Sequence, residues 1–83
     1  MNTNIYRCDN HRMIEADTPS QAASVFALRK ARTQYGKTAQ VGALRLDSYS
    51  SNGLVYNFDA FIGYPVGRNQ TAGCNVRFTV YRE

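Results

Sequence analysis

The sequence predicts a small α+β domain in which one α-helix packs on one face of a mostly antiparallel sheet of four or five strands. A single helical segment has clear cap residues at both ends. After it, the hydrophobic period changes from about 3.6 residues to about two. Three strands then follow one another, with a hairpin signal between the first two. Consecutive strands of this kind pair antiparallel, so the helix covers one face of a meander.

The chain is long enough for one hydrophobic core, and it shows no interdomain linker and no internal repeat, so residues 1–83 are predicted to form a single domain. No apolar segment approaches the roughly 20 residues that a membrane-crossing helix needs. The segment from Met1 to Asp9 lacks the apolar stretch of a signal peptide. We therefore expect a cytoplasmic protein of the host cell with no membrane partner.

The N-terminal part contains two short strand-like segments, Asn4 to Cys8 and Arg12 to Ala16. Asp9 and Asn10 between them have side chains that bond to nearby backbone and favour turns. The pattern does not distinguish a hairpin from one bulged strand.

The helix is predicted from Pro19 to about Tyr35. Thr18 is a favourable N-cap, Pro19 suits the first helical position, and Gln21 occupies the capping-box position. Gly36 provides the left-handed C-terminal cap.

A helical period places mostly small residues toward the core: Ser24, Ala27, Leu28, Ala31 and Tyr35. Phe26 falls on a different side, near Arg29 and Lys30. It is either a second core anchor or an exposed aromatic side chain among cations, and the latter would be an interaction site.

Three strands are predicted after the helix: Ala39 to Tyr49, Leu54 to Tyr64 and Cys74 to Arg82. Asn52-Gly53 is a strong hairpin signal between the first two. Pro65 is expected to end the second strand, because proline cannot donate to a ladder. Residues 66–73 are then predicted to form a polar loop.

Alternation assigns one set of side chains to the sheet face away from the helix. That set combines aromatic and basic residues with an amide: Tyr49, Phe61, Tyr81, Arg45, Arg77 and Asn57. Such a face is typical of sheets that stack single-stranded nucleic acid, and it would equally serve dimerisation or docking on a protein.

The net charge is +4, and no acidic residue occurs between Asp17 and Asp47. That stretch holds five basic residues: Arg29, Lys30, Arg32, Lys37 and Arg45. A block of one sign indicates an anionic partner, either nucleic acid or an acidic protein surface, unless it is only a solvated helix face.

Catalytic and metal-binding patterns are absent from the sequence. Cys8, Cys74 and the lone His11 supply three zinc ligands at most, where a structural site needs about four. The two cysteines are expected to be small buried hydrophobes. Asp47 and Asp59 could meet across the hairpin, but Arg45 and Arg77 lie on the same face, so we expect cross-strand ion pairs. We predict no enzyme activity, no metal and no cofactor.

The layout of strand, Ala-rich helix entry and three-strand meander resembles the small anti-CRISPR proteins that phages and mobile elements encode against type I systems. The similar stretches are residues 14–23 and 52–56. The resemblance implies an inhibitor that occupies a surface of the CRISPR surveillance complex or its nuclease. Because this chain is basic, it would cover an acidic protein surface or hold DNA unproductively on the complex.

The sequence therefore supports three candidate functions. The first is a non-enzymatic inhibitor that docks on a host nucleoprotein complex, the second a small basic nucleic-acid-binding protein, and the third a structural subunit that dimerises through its sheet. The predicted partner-binding residues are Phe26, Arg29, Lys30, Arg32, Lys37, Arg45, Tyr49, Phe61, Arg77 and Tyr81.

Overall fold

The computed structural model describes residues 3–9 and 12–83 of the chain, and these form one helix and five strands. The elements in chain order are β1 (Asn4–Cys8), β2 (Arg12–Ala16), α1 (Pro19–Tyr35), β3 (Gln40–Tyr49), β4 (Val55–Gly67) and β5 (Gln70–Arg82). The strands form one antiparallel sheet in the order β2-β1-β5-β4-β3. The predicted fold class is confirmed.

The two N-terminal segments form a hairpin, and β1 also pairs with the C-terminal strand. Asn4 lies opposite Ala16 in β2, and Cys8 lies opposite Val80 in β5. This pairing decides between the two alternatives that the sequence left open. Asn10, one of the predicted turn residues, and His11 lie outside the described residues.

The helix begins and ends where the cap residues predict. The hydroxyl oxygen of Thr18 accepts a hydrogen bond from the Gln21 backbone N–H at 3.2 Å, and the Asp17 N–H donates to the Gln21 side chain at 2.9 Å. At the other end, Gly36 has a φ of 88°, and its N–H donates to the Arg32 carbonyl at 2.8 Å. Among the described residues, no helix combines the length and apolarity needed to cross a bilayer.

The helix buries a stripe of alanines and one phenylalanine against the sheet: Ala22, Ala23, Phe26, Ala27 and Ala31. Ser24, predicted on the core side, is exposed. Phe26 is a core residue, 7% exposed, with its ring 4.9 Å from that of Phe78. The prediction that Phe26 belongs to a partner-binding surface is therefore wrong. The small alanines let the helix lie close to the sheet, and the larger ring fills the space above β5.

Two bulges in β3 change which side chains share a face. Val41 lies opposite Ile62 and Leu44 opposite Ala60, so one extra residue separates the pairs; a second irregularity falls between Leu46 and Ser48. Since each extra residue inverts the alternation, Val41 packs into the core.

The second irregularity moves Tyr49 as well. It lies opposite Tyr56 on the face that carries the helix, with ring centroids 6.4 Å apart, and is 66% exposed. Its predicted place with Phe61 and Tyr81 is wrong.

Strands β4 and β5 continue beyond the N-terminal end of β3. Pro65 lies opposite Thr71 and Gly67 opposite Gln70, and the turn between them has Asn69 at a φ of 59°. Pro65 therefore does not end its strand, and residues 66–73 are not a loop. The last pair between β3 and β4 is Gln40 with Gly63, so residues 64–72 form a two-stranded ribbon. We call these residues the arm; the molecule as a whole measures 43 × 23 × 23 Å.

The strands approach each other closely at the base of the arm, where Gly63 and Gly73 lie opposite one another. A Cβ atom on Gly73 would collide with the carbonyl oxygen of Ile62 and lie 2.6 Å from the Gly63 Cα. A residue without a Cβ atom is therefore required at position 73.

Candidate functional site

Basic side chains are distributed along the C-terminal turns of the helix, just beyond its cap and at the tip of the arm. Three of them lie in the last turns of α1, one follows the C-cap, and one is at the tip of the arm. We call this set the cationic end: Arg29, Lys30, Arg32, Lys37 and Arg68. All are exposed except Lys30, whose ammonium lies 6.0 Å from the centre of the Phe26 ring.

No side chain of the cationic end forms an ion pair within the part of the chain that the structure describes. The ion pairs there involve other basic residues, Arg7, Arg45 and Arg77. The helix itself has no acidic residue, and none occurs between Asp59 and Glu83. The positive charge at this end therefore faces solvent without internal neutralisation.

The helix C-terminus and the arm are joined by a contact between two tyrosines. The rings of Tyr35 and Tyr64 lie 5.0 Å apart, and the Tyr35 hydroxyl is 3.6 Å from the Cys74 sulfur in β5. Gln34 donates to the same hydroxyl at 3.0 Å. The hydrogen bond with Cys74 raises the pKa of Tyr35. These contacts fix the root of the arm relative to the helix end.

Residues 65–71 of the arm are all exposed. They comprise an apolar pair, Pro65 and Val66, followed by Gly67 and a polar stretch, Arg68-Asn69-Gln70-Thr71. The stretch carries no carboxylate, so the arm continues the positive surface of the helix end.

The open face of the sheet, opposite α1, holds the other predicted basic residues in ion pairs. Arg45 in β3 lies 3.4 Å from Asp59 in β4, and Arg77 in β5 lies 3.7 Å from Asp47. The predicted cross-strand ion pairs are confirmed. Carboxylates on the same face therefore neutralise the positive charges of Arg45 and Arg77.

The aromatic side chains of the open face lie against their own neighbours. The Phe61 ring covers the backbone of Gly42, where an added Cβ would be 3.2 Å from Cδ1. The Arg7 guanidinium lies 4.4 Å from the centre of the Tyr81 ring.

Tyr81 lies opposite Val55, which is six positions from Phe61 along β4. This separation corresponds to about 20 Å. Phe61 and Tyr81 therefore do not form one stacking platform.

The centre of the open face is a shallow polar cleft of about 320 Å³, lined mainly by Asp9, Asp47, Asn57, Arg77 and Thr79. The Thr79 hydroxyl donates to Asn57 at 2.9 Å, and the Thr79 N–H donates to the Asp9 carboxylate at 3.0 Å. Asn57 in turn donates to Ser48 at 3.0 Å. These groups bond to one another and present no nucleophile with a base beside it.

The two cysteines differ in environment. Cys8 is fully buried, as predicted, and burial together with the nearby Asp9 charge raises its pKa to about 11, against an opposing effect of Arg29. Cys74 is exposed, so the expectation of burial is wrong there. Within the described residues, no cluster of three or more His, Cys, Asp or Glu side chains could hold a metal.

The structure therefore brings together four of the predicted partner-binding residues, Arg29, Lys30, Arg32 and Lys37, and separates the rest. The sequence reasoning missed Arg68 and the arm. A signal was present, because Gly67-Arg68-Asn69 has turn chemistry and is followed by strand-forming residues.

No model of a known protein family matches the chain, and no curated protein and no solved structure does so either.

Proposed function

We propose that this chain is a non-enzymatic binding protein that docks through its cationic end on nucleic acid, either free or within a nucleoprotein complex. One observation carries the proposal. Five basic side chains lie along the last turns of α1, beyond its C-cap and at the tip of the arm, and none of them has a carboxylate partner among the described residues. Such a surface gains free energy by releasing counterions from a phosphate backbone.

The arrangement favours a polyanion over a small anionic ligand. The basic side chains are spread over two elements, and all but Lys30 are exposed; Arg32 and Lys37 line a wide, open depression rather than an enclosed cavity. Phosphates repeated along a strand can meet several such side chains at once. With five contacts, the logarithm of the affinity should fall with the logarithm of the salt concentration with a slope of about −4.5.

The resemblance in layout to anti-CRISPR proteins gives this proposal a specific biological form. A basic inhibitor from a phage or mobile element would dock on a type I surveillance complex and hold DNA there unproductively. In that form the partner is a nucleoprotein complex of the host cell, and the contact is the cationic end.

The test is fluorescence anisotropy with labelled 30-base-pair DNA at salt concentrations between about 50 and 200 mM. Arg32→Gln combined with Lys37→Gln removes two charges from the cationic end. Arg45→Gln combined with Arg77→Gln removes the same charge from the open face, where both arginines have carboxylate partners. We expect the first double variant to reduce the salt slope by about two and the affinity at least tenfold.

The matched control should change the slope by less than one, because its arginines already face carboxylates. Two results would contradict the proposal. One is no binding by the wild-type chain at low salt. The other is equal weakening by both double variants, which would mean that only net charge matters.

A further inference from the structure

We propose that the arm enters the major groove of double-stranded DNA and contacts base edges, while the cations of the helix end lie on the flanking phosphates. This inference rests on the proposed function and narrows it to duplex DNA with a defined groove. It concerns residues 64–72, which the sequence pattern predicts to form the end of a strand and a loop.

The shape of the arm fits the groove. Beyond the pair of Gln40 with Gly63, the described part of the sheet has two strands. Paired strands lie about 4.8 Å apart. The major groove of B-DNA is about 12 Å wide and admits a two-stranded β-ribbon. Arg68 at the tip lies four positions beyond Tyr64, which corresponds to about 13 Å of reach and exceeds the groove depth of about 8.5 Å.

The side chains at the tip are those that read base edges. Arginine bonds in a bidentate manner to guanine, and asparagine or glutamine bonds in the same manner to adenine. The tip presents one of each in sequence, Arg68, Asn69 and Gln70, and all three are exposed. The turn that holds them is closed by the pairing of Gly67 with Gln70.

The contact at the root of the arm determines where two cations of the helix end, Arg32 and Lys37, lie relative to the groove. The Tyr35–Tyr64 contact ties the arm to the last residue of α1, and Arg32 and Lys37 lie within three positions of Tyr35 along the chain. With the ribbon inserted, these two side chains would face the phosphates that border the groove. Contacts to phosphates position a protein and contacts to bases specify the sequence, so the two groups have separate roles.

Single-stranded nucleic acid is the less suitable ligand. Its recognition relies on exposed aromatic rings that stack on bases. Near the cationic end, Tyr35 and Tyr64 pack on each other. Tyr49 is exposed, but it lies at the opposite end of β3 from Gln40, which pairs with Gly63 at the base of the arm. On the open face, the Tyr81 ring is covered by Arg7.

The decisive experiment uses the wild-type chain and three labelled probes of one base sequence in the anisotropy assay. These are a plain duplex, a duplex whose cytosines carry glucosylated hydroxymethyl groups that project into the major groove, and the single strand. A fourth measurement adds netropsin, which occupies the minor groove, to the plain duplex. We expect the glucosylated duplex to bind at least tenfold more weakly than the plain duplex and netropsin to have little effect.

Variants of the tip assign the effect to the arm. Asn69→Gly keeps the positive φ of the turn while removing the amide, and Gln70→Ala removes the second amide. We expect this double variant to bind the plain duplex at least tenfold more weakly and to leave the salt slope unchanged. By contrast, Arg32→Gln with Lys37→Gln should reduce the slope. Circular dichroism and thermal unfolding verify that both double variants are folded.

Three results would overturn the groove assignment while leaving the proposed function intact: equal affinity for plain and glucosylated duplexes, tighter binding of the single strand, or competition by netropsin. Unchanged affinity of the tip variant would also remove it. By contrast, no binding to any probe at low salt would overturn the proposed function itself.

Discussion

The ring of Tyr35, the last residue of α1, packs against the ring of Tyr64 at the root of the arm, with 5.0 Å between their centroids. Within residues 3–9 and 12–83, no third strand pairs with the arm beyond Gly63. The direction in which the arm projects therefore depends on this contact and on the nearby bond between Tyr35 and Cys74.

Replacing Tyr64 by alanine tests that dependence. We expect the free energy of unfolding to fall by about 1–2 kcal/mol, because an aromatic pair and part of a half-buried ring are lost. DNA affinity should also fall, since the arm loses its fixed direction. Urea denaturation and anisotropy measure the two effects. Tyr49→Ala is the matched control, because Tyr49 lies beside Tyr56 away from the arm; an equal loss of affinity in that variant would refute the idea.

Phe26 should behave as a core residue. Its ring lies between α1 and Phe78, so Phe26→Ala leaves a cavity and should cost about 3–5 kcal/mol of stability. Val25→Ala, one position earlier and 37% exposed, should cost under about 1 kcal/mol. Thermal or urea unfolding of both variants measures the difference. A loss in Phe26→Ala as small as that in Val25→Ala would show that the ring is not packed as described.

Gly73 should not tolerate a side chain. An added Cβ meets the Ile62 carbonyl oxygen and the Gly63 Cα, so Gly73→Ala must separate the two strands at the base of the arm. We expect a loss of about 2 kcal/mol or more in the free energy of unfolding. Gly67→Ala is the comparison, because its nearest neighbour would be the Gln70 side chain at 3.5 Å. Equal stability of the two variants would contradict the close approach.

Cys8 should make stability decline at alkaline pH. Its pKa is raised from 9.0 to about 11, so the folded state holds its proton where the unfolded state has lost it. The contribution is complete below pH 9 and is lost as pH rises toward 11. The slope should reach at most about 1.4 kcal/mol per pH unit. Cys8→Ser, which does not titrate there, should flatten the decline in urea denaturation measured between these limits.

The same cysteine allows a check by chemical modification at neutral pH. A thiol reagent should react at once with the exposed Cys74 and with Cys8 only after unfolding. Rapid reaction of both thiols in the folded protein would contradict the burial of Cys8.

The elements with local chemical signals could be predicted from the sequence. Thr18, Pro19 and Gln21 set the helix start, because a cap bond forms between near neighbours, and Gly36 set its end. The hairpin at Asn52-Gly53 is likewise local, and it is confirmed.

The features that depend on distant neighbours could not be predicted. The predicted face of Tyr49 was wrong because a bulge is set by the register of β3 against β4, which alternation alone does not reveal. Pro65 was expected to end β4, but β4 has a free edge beyond Gly63, and proline is tolerated on strands with a free edge. The arm, and with it Arg68, was missed for that reason.

The bulges in β3 have a further effect. This strand borders the sheet, and a long, regular border strand invites other chains to extend the sheet by hydrogen bonding. Extra residues interrupt the regular spacing of donors and acceptors and increase local twist, so a second chain finds no continuous template. The same bulges that make the faces of β3 hard to predict from the sequence thus also oppose edge-to-edge association with other chains. They do so even though Leu46 and Tyr49 on this strand remain exposed.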